Sequence, residues 1–145
     1  MAISSAVCNS FKQEILVGTH NLTASSGNTF KLALYTSSAS LGAGTTAYST
    51  SNEISNASGS AYTAGGAALT SVTPVLDGST AVCDFADISF TSASFTANGC
   101  LIYNDTQSDK AVCVVAFGGD KTVSSGTFTI QFPAAAASTA IVRIA

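Results

Sequence analysis

The sequence holds few residues that could carry catalysis, and its single histidine is His20. A Ser–His–acid arrangement would have to use His20, which follows a helical pattern within a Thr-His-Asn loop. The chain contains neither the nucleophile-elbow pattern Gly-x-Ser-x-Gly nor the phosphate-binding pattern Gly-x-x-x-x-Gly-Lys-Ser/Thr. We therefore predict no catalytic residues, no enzyme activity and no cofactor, and we interpret His20 as a hydrogen-bonding loop residue.

The carboxylates are also poorly suited to a site. Asp84 and Asp87 in "CDFAD" could serve as glycosidase partners only if the fold set them several ångströms apart, and a turn or strand-end role is the expected one. Asp105 and Asp109 belong to the polar segment "NDTQSD", which offers fewer oxygen ligands than a calcium loop requires. The sequence therefore predicts no metal site among these acidic residues.

The four cysteines are Cys8, Cys83, Cys100 and Cys113, and no two of them have Cys-x-x-Cys spacing. In a reducing cytoplasm the expected state is four free, largely buried thiols. A structural zinc site is the alternative, but the long spacings and the single histidine do not favour it.

Charge is scarce in this chain. Of its residues 46% are hydrophobic and 9% are charged, compared with about 25% charged in typical soluble domains. A surface with so few charged residues is typical of one that is covered by other copies of the chain or by a partner. The formal net charge is −3, and the basic residues are scattered: Lys12, Lys31, Lys110, Lys121 and Arg143. This scatter argues against binding to nucleic acid or to an anionic membrane surface.

The length of the chain predicts the number of domains, and its first residues predict whether it carries a signal peptide. At 145 residues, we expect a single β domain over 1–145. The opening "MAISSAVCNSFKQ" lacks the charged and apolar regions of a signal peptide, and no apolar run approaches the roughly 18–20 residues that span a bilayer. We therefore expect the protein to remain in the cytoplasm in which it is made.

Residues 1–20 are predicted to form an N-terminal arm and helix. The apolar residues that recur at helical spacing are Val7, Phe11 and Ile15. Ser10 with Gln13 fits a capping box, so the helix is expected to begin there or earlier at Ser4, and Gly18 supplies a stop. Two functions are open for this segment: covering an open end of a β core, or docking on a neighbouring molecule.

After the helix the apolar pattern changes to a period of two, which is typical of strands. Pro74 confines "ALTSVTPVL" to an edge or a bulge, Asp77-Gly78 marks a tight turn, and "ADISFTSASFTA" loses register near Phe95. The runs "GCLIYN" and "KAVCVVAFG" are apolar enough to be covered on both faces. Seven or eight short strands predict an all-β fold: an antiparallel β-sandwich or a jelly-roll-like barrel with a short N-terminal helix.

A long Ser/Thr/Gly-rich loop is predicted at 37–66. Within it, the stretch from Gly42 to Gly66 carries one charged residue, Glu53. Two alternatives are open. Either the loop is an ordered excursion pinned by Tyr48 and Tyr62, or it orders only against a neighbour.

Several stretches resemble a family of small virion proteins of tailed bacteriophages. The most specific are "ALYTSS", "TTAYSTSNEIS", "AYTAGG" and "FGGDKTVSSG", and the resemblance covers nearly the whole chain. It implies a structural component of the virion, assembled in the host cytoplasm. Within that group it implies a capsid decoration (cement) protein that binds and stabilises the head lattice. The implied partners are the major capsid protein and copies of the chain itself, and a trimer would suit three-fold capsid positions.

Two other functions remain open from the sequence. A tail fibre, adaptor or baseplate module would have a similar composition, and a carbohydrate-binding module is the alternative from another class. If the protein docks on a partner, the N-terminal helix and the long loop are the expected contact surfaces. The candidate interface residues are Phe11, Ile15, Tyr48, Glu53, Ile54 and Tyr62.

Overall fold

The computed structural model describes residues 2–55 and 61–145. Two antiparallel sheets and one short helix form the fold, so the predicted all-β sandwich class is confirmed. The elements in chain order are β1 (Ala6–Val7), α1 (Asn9–Leu16), β2 (Phe30–Tyr35), β3 (Ala67–Ala68), β4 (Ser71–Asp77), β5 (Thr80–Phe85), β6 (Ile88–Asn104), β7 (Lys110–Ile130) and β8 (Val142–Ile144).

The larger sheet has the strand order β1-β7-β6-β2-β3, and the smaller has the order β4-β5-β8. In the larger sheet, "GCLIYN" is buried on both faces as predicted, and its successive residues Leu101 and Ile102 are both fully buried. The same prediction for "KAVCVVAFG" holds only for residues 111–114, because residues 115–117 are half-buried and Gly118 is exposed. The hydrophobic core joins the two sheets through side chains such as Leu32 of β2 and Phe85 of β5. This core is the platform on which α1 and the smaller sheet are held.

The hairpin of β6 and β7 is much longer than the other strands and is interrupted by register shifts. One shift lies between Ala93 and Phe95, as the sequence predicts. At another shift, Ala97 pairs with Lys121 but Gly99 pairs with Ala116. The segment of β7 between Ala116 and Lys121 is therefore longer than the segment of β6 that it faces. The extra residues include Gly118 and Gly119, both with positive φ. Next to these extra residues, the ring of Phe117 lies 6.1 Å from the ring of Phe128, measured between centroids.

Helix α1 is shorter than its apolar pattern indicates. Val7 belongs to β1 and pairs with Cys113, because the backbone at this point completes the edge of β7. The predicted capping box at Ser10 is wrong: Cys8 is the N-cap, no side chain caps the helix, and the Ser10 hydroxyl is buried without a partner in the described structure. The predicted stop at Gly18 is confirmed, since its φ is +76° and its N–H donates to the Ile15 carbonyl over 3.2 Å.

The residues before α1 pair with this chain's own long loop and lie against its larger sheet. The N–H of Ser4 donates to the Leu41 carbonyl, and the N–H of Leu41 donates to the Ala2 carbonyl. Ile3 lies directly over Gly99, where an added Cβ would come within 2.7 Å of the Ile3 side chain. The first residues therefore cover the core of their own chain.

Strand β4 is the exposed edge of the smaller sheet. Its register shifts between Val72 and Val75, around Pro74, so the predicted edge and bulge are both confirmed. Gly78 has a φ of +64° in the tight turn to β5, as predicted. No helix in the described part of the chain is long and apolar enough to cross a membrane.

Candidate functional site

An apolar groove lies between α1 and the smaller sheet. We call it the α1 groove; it consists of two adjoining depressions of about 520 and 380 Å³. The residues that line both depressions are Phe11, Ile15, Val142 and Ile144. Phe11 and Val142 are buried at its floor, whereas Ile144 is 53% exposed at its mouth.

A row of apolar side chains extends the groove across the smaller sheet. Leu76 of β4 pairs with Ala81 of β5, and Ala81 pairs with Ile144 of β8. Directly opposed residues of antiparallel strands project on the same face, so these three side chains form one row on the face that α1 covers. Leu76 is 71% exposed, so the row runs from the groove into solvent.

The exposed large apolar side chains are confined to this end of the molecule. In the described ranges they are Leu16, Val17, Val72, Val75, Leu76 and Ile144. They belong to the end of α1 and to the two edge strands of the smaller sheet. A concentration of this kind marks an interaction surface, because apolar side chains scattered singly would need no explanation.

The charged side chains that line the groove are both cationic. Lys12 and Arg143 line the smaller depression, and neither depression has an acidic side chain in its lining. Lys12 bonds to the Asn9 side chain over 3.3 Å and Arg143 to the Ala137 carbonyl over 2.9 Å, so neither neutralises a carboxylate through these contacts. The groove is therefore apolar with a cationic rim.

A buried polar network holds α1 against the larger sheet. Glu14 contacts His20 through Oε1 and Lys110 of β7 through Oε2, both over 3.0 Å. The Asn104 amide donates to Nδ1 of His20 over 2.9 Å, so the His20 Nε2–H donates to Glu14. Burial raises the pKa of Glu14, but the hydrogen bonds from His20 and Lys110 outweigh it and hold that pKa below its usual value. The prediction that His20 is a hydrogen-bonding loop residue is confirmed.

Glu53 organises the long loop. Its carboxylate accepts hydrogen bonds from the Tyr48 hydroxyl over 2.6 Å, the Tyr62 hydroxyl over 2.5 Å and the Gly65 N–H over 2.7 Å. The ring of Tyr48 stacks on Tyr103 with centroids 4.7 Å apart, and the Tyr103 hydroxyl donates to the Gly65 carbonyl. The ordered alternative therefore holds for the described part of the loop, and residues 56–60 lie outside the described residues.

Three of the six candidate interface residues require correction. Phe11, Ile54 and Tyr62 are at most 4% exposed, because their side chains complete this chain's own core. Ile54 and Tyr62 are therefore not available to contact a partner, and Phe11 is accessible only at the floor of the α1 groove.

The other three candidates are partly exposed: Ile15, Tyr48 and Glu53. Ile15 lines the α1 groove, so its assignment to an interface stays a prediction. Tyr48 and Glu53 stay predictions as well, although they bond to each other in the loop. The sequence reasoning did not select Leu16, Leu76 or Ile144, although placing Pro74 on an edge strand already implied that its neighbours are exposed.

The four cysteines are buried and unpaired, as predicted. Burial raises the pKa of the Cys8 thiol to about 11 and that of the Cys83 thiol to about 12. These thiols are therefore protonated near neutral pH and are poor nucleophiles. Among residues 2–55 and 61–145, no group of three or more His, Cys, Asp or Glu side chains is arranged to hold a metal ion.

Comparisons with protein-family models, with curated proteins and with solved structures gave no match. The class of protein is therefore defined by its own geometry. It is an all-β protein with an apolar, cation-rimmed groove at one end.

Proposed function

We propose that this chain is a structural protein of a bacteriophage virion: a capsid decoration protein that binds and stabilises the head lattice and has no catalytic activity. Its partners are the major capsid protein and copies of itself, with a trimer as the proposed oligomer. The observation that carries the proposal is the confinement of the exposed large apolar side chains of the described residues to the end of α1 and the two edge strands of the smaller sheet, in a chain with 9% charged residues. The resemblance to small virion proteins supplies the virion context.

The energetics of such a surface suit repeated binding. Burying one exposed Val, Leu or Ile side chain contributes about 1.5–3 kcal/mol before the costs of association. A few such contacts give weak binding for one copy. When copies are linked in an oligomer, each later contact forms at a high effective concentration, so weak contacts are sufficient on a regular lattice.

The tyrosines do not support the carbohydrate-binding alternative. Tyr35, Tyr62 and Tyr103 are buried, and Tyr48 is stacked on Tyr103. A flat aromatic platform open to a sugar is therefore not formed by these four side chains. The sequence contains no tryptophan that could replace them.

The test of the proposed function is the location and abundance of the protein in virions. Purified virions are labelled with an antibody against the chain, and the ratio of the chain to the major capsid protein is measured by quantitative mass spectrometry. We expect label over the head and a copy number comparable with that of the major capsid protein. Label at the tail with a low copy number would replace the proposal with the tail-component alternative, and absence from virions would overturn both.

A further inference from the structure

Backbone hydrogen bonds anchor helix α1 at its start but not at its end. The N–H groups of Cys8 and Asn9 donate to carbonyls of β7 and of the long loop, over 2.9 and 2.8 Å. At the other end, the N–H groups of residues 17–19 donate back to carbonyls of α1 itself. A helix of 8 residues without a side-chain cap is marginal on its own, so the last turn of α1 depends on side-chain contacts.

The apolar side chains at the end of α1 give it little support. Leu16 and Val17 are 86% and 68% exposed. Ile15 is half-buried and lines both depressions of the α1 groove, which lie between this side of the helix and the smaller sheet. The buried apolar side chain of α1 is Phe11, one turn earlier. The end of the helix therefore relies on a polar contact.

That contact is made by the buried carboxylate of Glu14, whose two oxygens both bind groups outside α1. Oε1 accepts from the His20 ring, which is bonded in turn to Asn104 of β6, and Oε2 contacts the Lys110 ammonium of β7. The groups that face the carboxylate are thus the His20 ring, the Lys110 ammonium, the uncharged Asn104 amide behind His20, and the nearby Cys8 thiol at the start of α1. One carboxylate joins the end of α1 to both central strands of the larger sheet.

We infer that Glu14 is an acid-sensitive latch on α1: when its carboxylate takes up a proton, the end of α1 leaves the larger sheet and the α1 groove opens. The proton removes the charge that attracts Lys110 and occupies an oxygen that served as an acceptor. Gly18 acts as the joint, because its φ is +76° and no atom outside its neighbours lies within 4 Å of a Cβ added there. Ile15 lines both depressions, so movement of this end displaces a wall of the groove.

The sign of the pH dependence follows from the surroundings of the carboxylate. Burial raises the pKa of Glu14, but the hydrogen bonds from His20 and Lys110 outweigh it and hold that pKa below its usual value. The contribution of the latch is therefore complete above the pKa of an unfolded glutamate, about 4.3, and is lost as the pH falls below it. The inference concerns the chain by itself, so purified protein tests it without a virion or a partner.

Amide hydrogen exchange, followed by NMR spectroscopy between about pH 6 and about pH 3, measures the opening of the latch. Each rate is divided by the rate for an unfolded chain at the same pH, which removes the intrinsic pH dependence of exchange. We expect the amides of residues 14–18 to lose at least about tenfold in protection as the pH falls below about 4.3, because hydrogen bonds to a charged group are lost. The amides of β2 should stay protected over the same range, since this strand lies inside the larger sheet.

Two pairs of variants identify Glu14 as the group that responds. Glu14→Gln should lower the protection of the same amides at about pH 6 and abolish its dependence on pH. Asp120→Asn is its control, since it removes the same charge from an exposed side chain. Lys110→Met removes a group that holds the Glu14 pKa down, so the loss of protection should begin at a higher pH. Lys121→Met, at an exposed position of the same strand, is the control for this substitution.

Several results would overturn the inference. Protection of residues 14–18 could remain unchanged down to about pH 3, could fall in Glu14→Gln as it does in the wild-type chain, or could be lost together with that of β2. A loss of protection in Lys110→Met at the same pH as in the wild-type chain would also overturn it. None of these results concerns the place of the protein in virions, so the proposed function would stand.

Discussion

Glu53 is the residue on which the order of the long loop depends most directly. It is the single charged residue between Gly42 and Gly66, and it accepts hydrogen bonds from two tyrosines and one backbone N–H. Hydrogen bonds to an ionised group contribute about 1.5–3 kcal/mol each, roughly twice as much as neutral ones. One carboxylate can therefore hold a loop that has few apolar contacts of its own.

We expect Glu53→Gln to lower the free energy of unfolding by about 2 kcal/mol, because the neutral amide weakens these hydrogen bonds and can accept at one oxygen only. Denaturant unfolding measures the change. Asp120→Asn is the control, since it removes the same charge from an exposed side chain that bonds to Asn98. Equal effects of the two substitutions would show that Glu53 does not hold the loop.

The tyrosines predict how stability depends on alkaline pH. Burial raises the pKa of all four, and the hydrogen bonds to Glu53 raise it further for Tyr48 and Tyr62. Because the pKa of each tyrosine is higher in the folded than in the unfolded chain, the protonated tyrosines stabilise the fold. This contribution to the free energy of unfolding is complete below the pKa of an unfolded tyrosine, about 10, and is lost as the pH rises above it. The native protein is expected to show no tyrosinate absorbance at about pH 11, whereas the chain unfolded in guanidinium ionises near pH 10. Tyrosinate formation near pH 10 in the native protein would contradict this expectation.

The sequence predicted which residues belong to the long loop but not which of their side chains are buried. The tyrosines and Glu53 were recognised as features of one loop, but a sequence pattern does not reveal that Tyr62 also accepts from the Leu34 N–H and is buried. Whether an aromatic side chain faces a partner or the core depends on contacts between distant segments. Ile54 was assigned to an interface although it is buried, for the same reason.

At the scale of the elements, α1 ends where the backbone turns into the left-handed region at Gly18. No atom outside its neighbours lies within 4 Å of a Cβ added there, so the requirement for glycine is purely conformational. We expect Gly18→Ala to destabilise the protein by about 1 kcal/mol, measured as a shift in the denaturation midpoint.

Gly44→Ala is the matched control for this substitution. Gly44 also has open space around a Cβ, but its φ is not positive. It should be neutral or slightly stabilising, because alanine restricts the unfolded chain. If the two substitutions have the same effect, the stop at Gly18 does not depend on its backbone conformation.

The strands were more predictable than the helix. Apolar alternation, Pro74 and Asp77-Gly78 act locally, and each of these local signals corresponds to the edge strand and the turn in the structure. The start of α1 was not predictable, because Val7 is extended by pairing with Cys113 more than a hundred residues away. Tertiary pairing overrides the local helical pattern there.

At the scale of the whole molecule, low charge predicted a surface that a partner covers, but not where it lies. The α1 groove brings Leu16 of the helix beside Ile144 of the last strand. Residues so far apart in the sequence come together only because α1 is held against the larger sheet next to β8. The groove could therefore be found only in the folded chain, while the virion role comes from the resemblance and remains a proposal.

The most direct test of the decoration role is binding to phage heads that lack this protein. Purified chain is added in increasing amounts, heads are sedimented, and bound protein is quantified against the major capsid protein. The proposed function predicts saturable binding at a fixed ratio to the major capsid protein, with heads that resist heat or dilution better once saturated. Heads that bind no protein, or that bind it without saturation and without gain in stability, would contradict it.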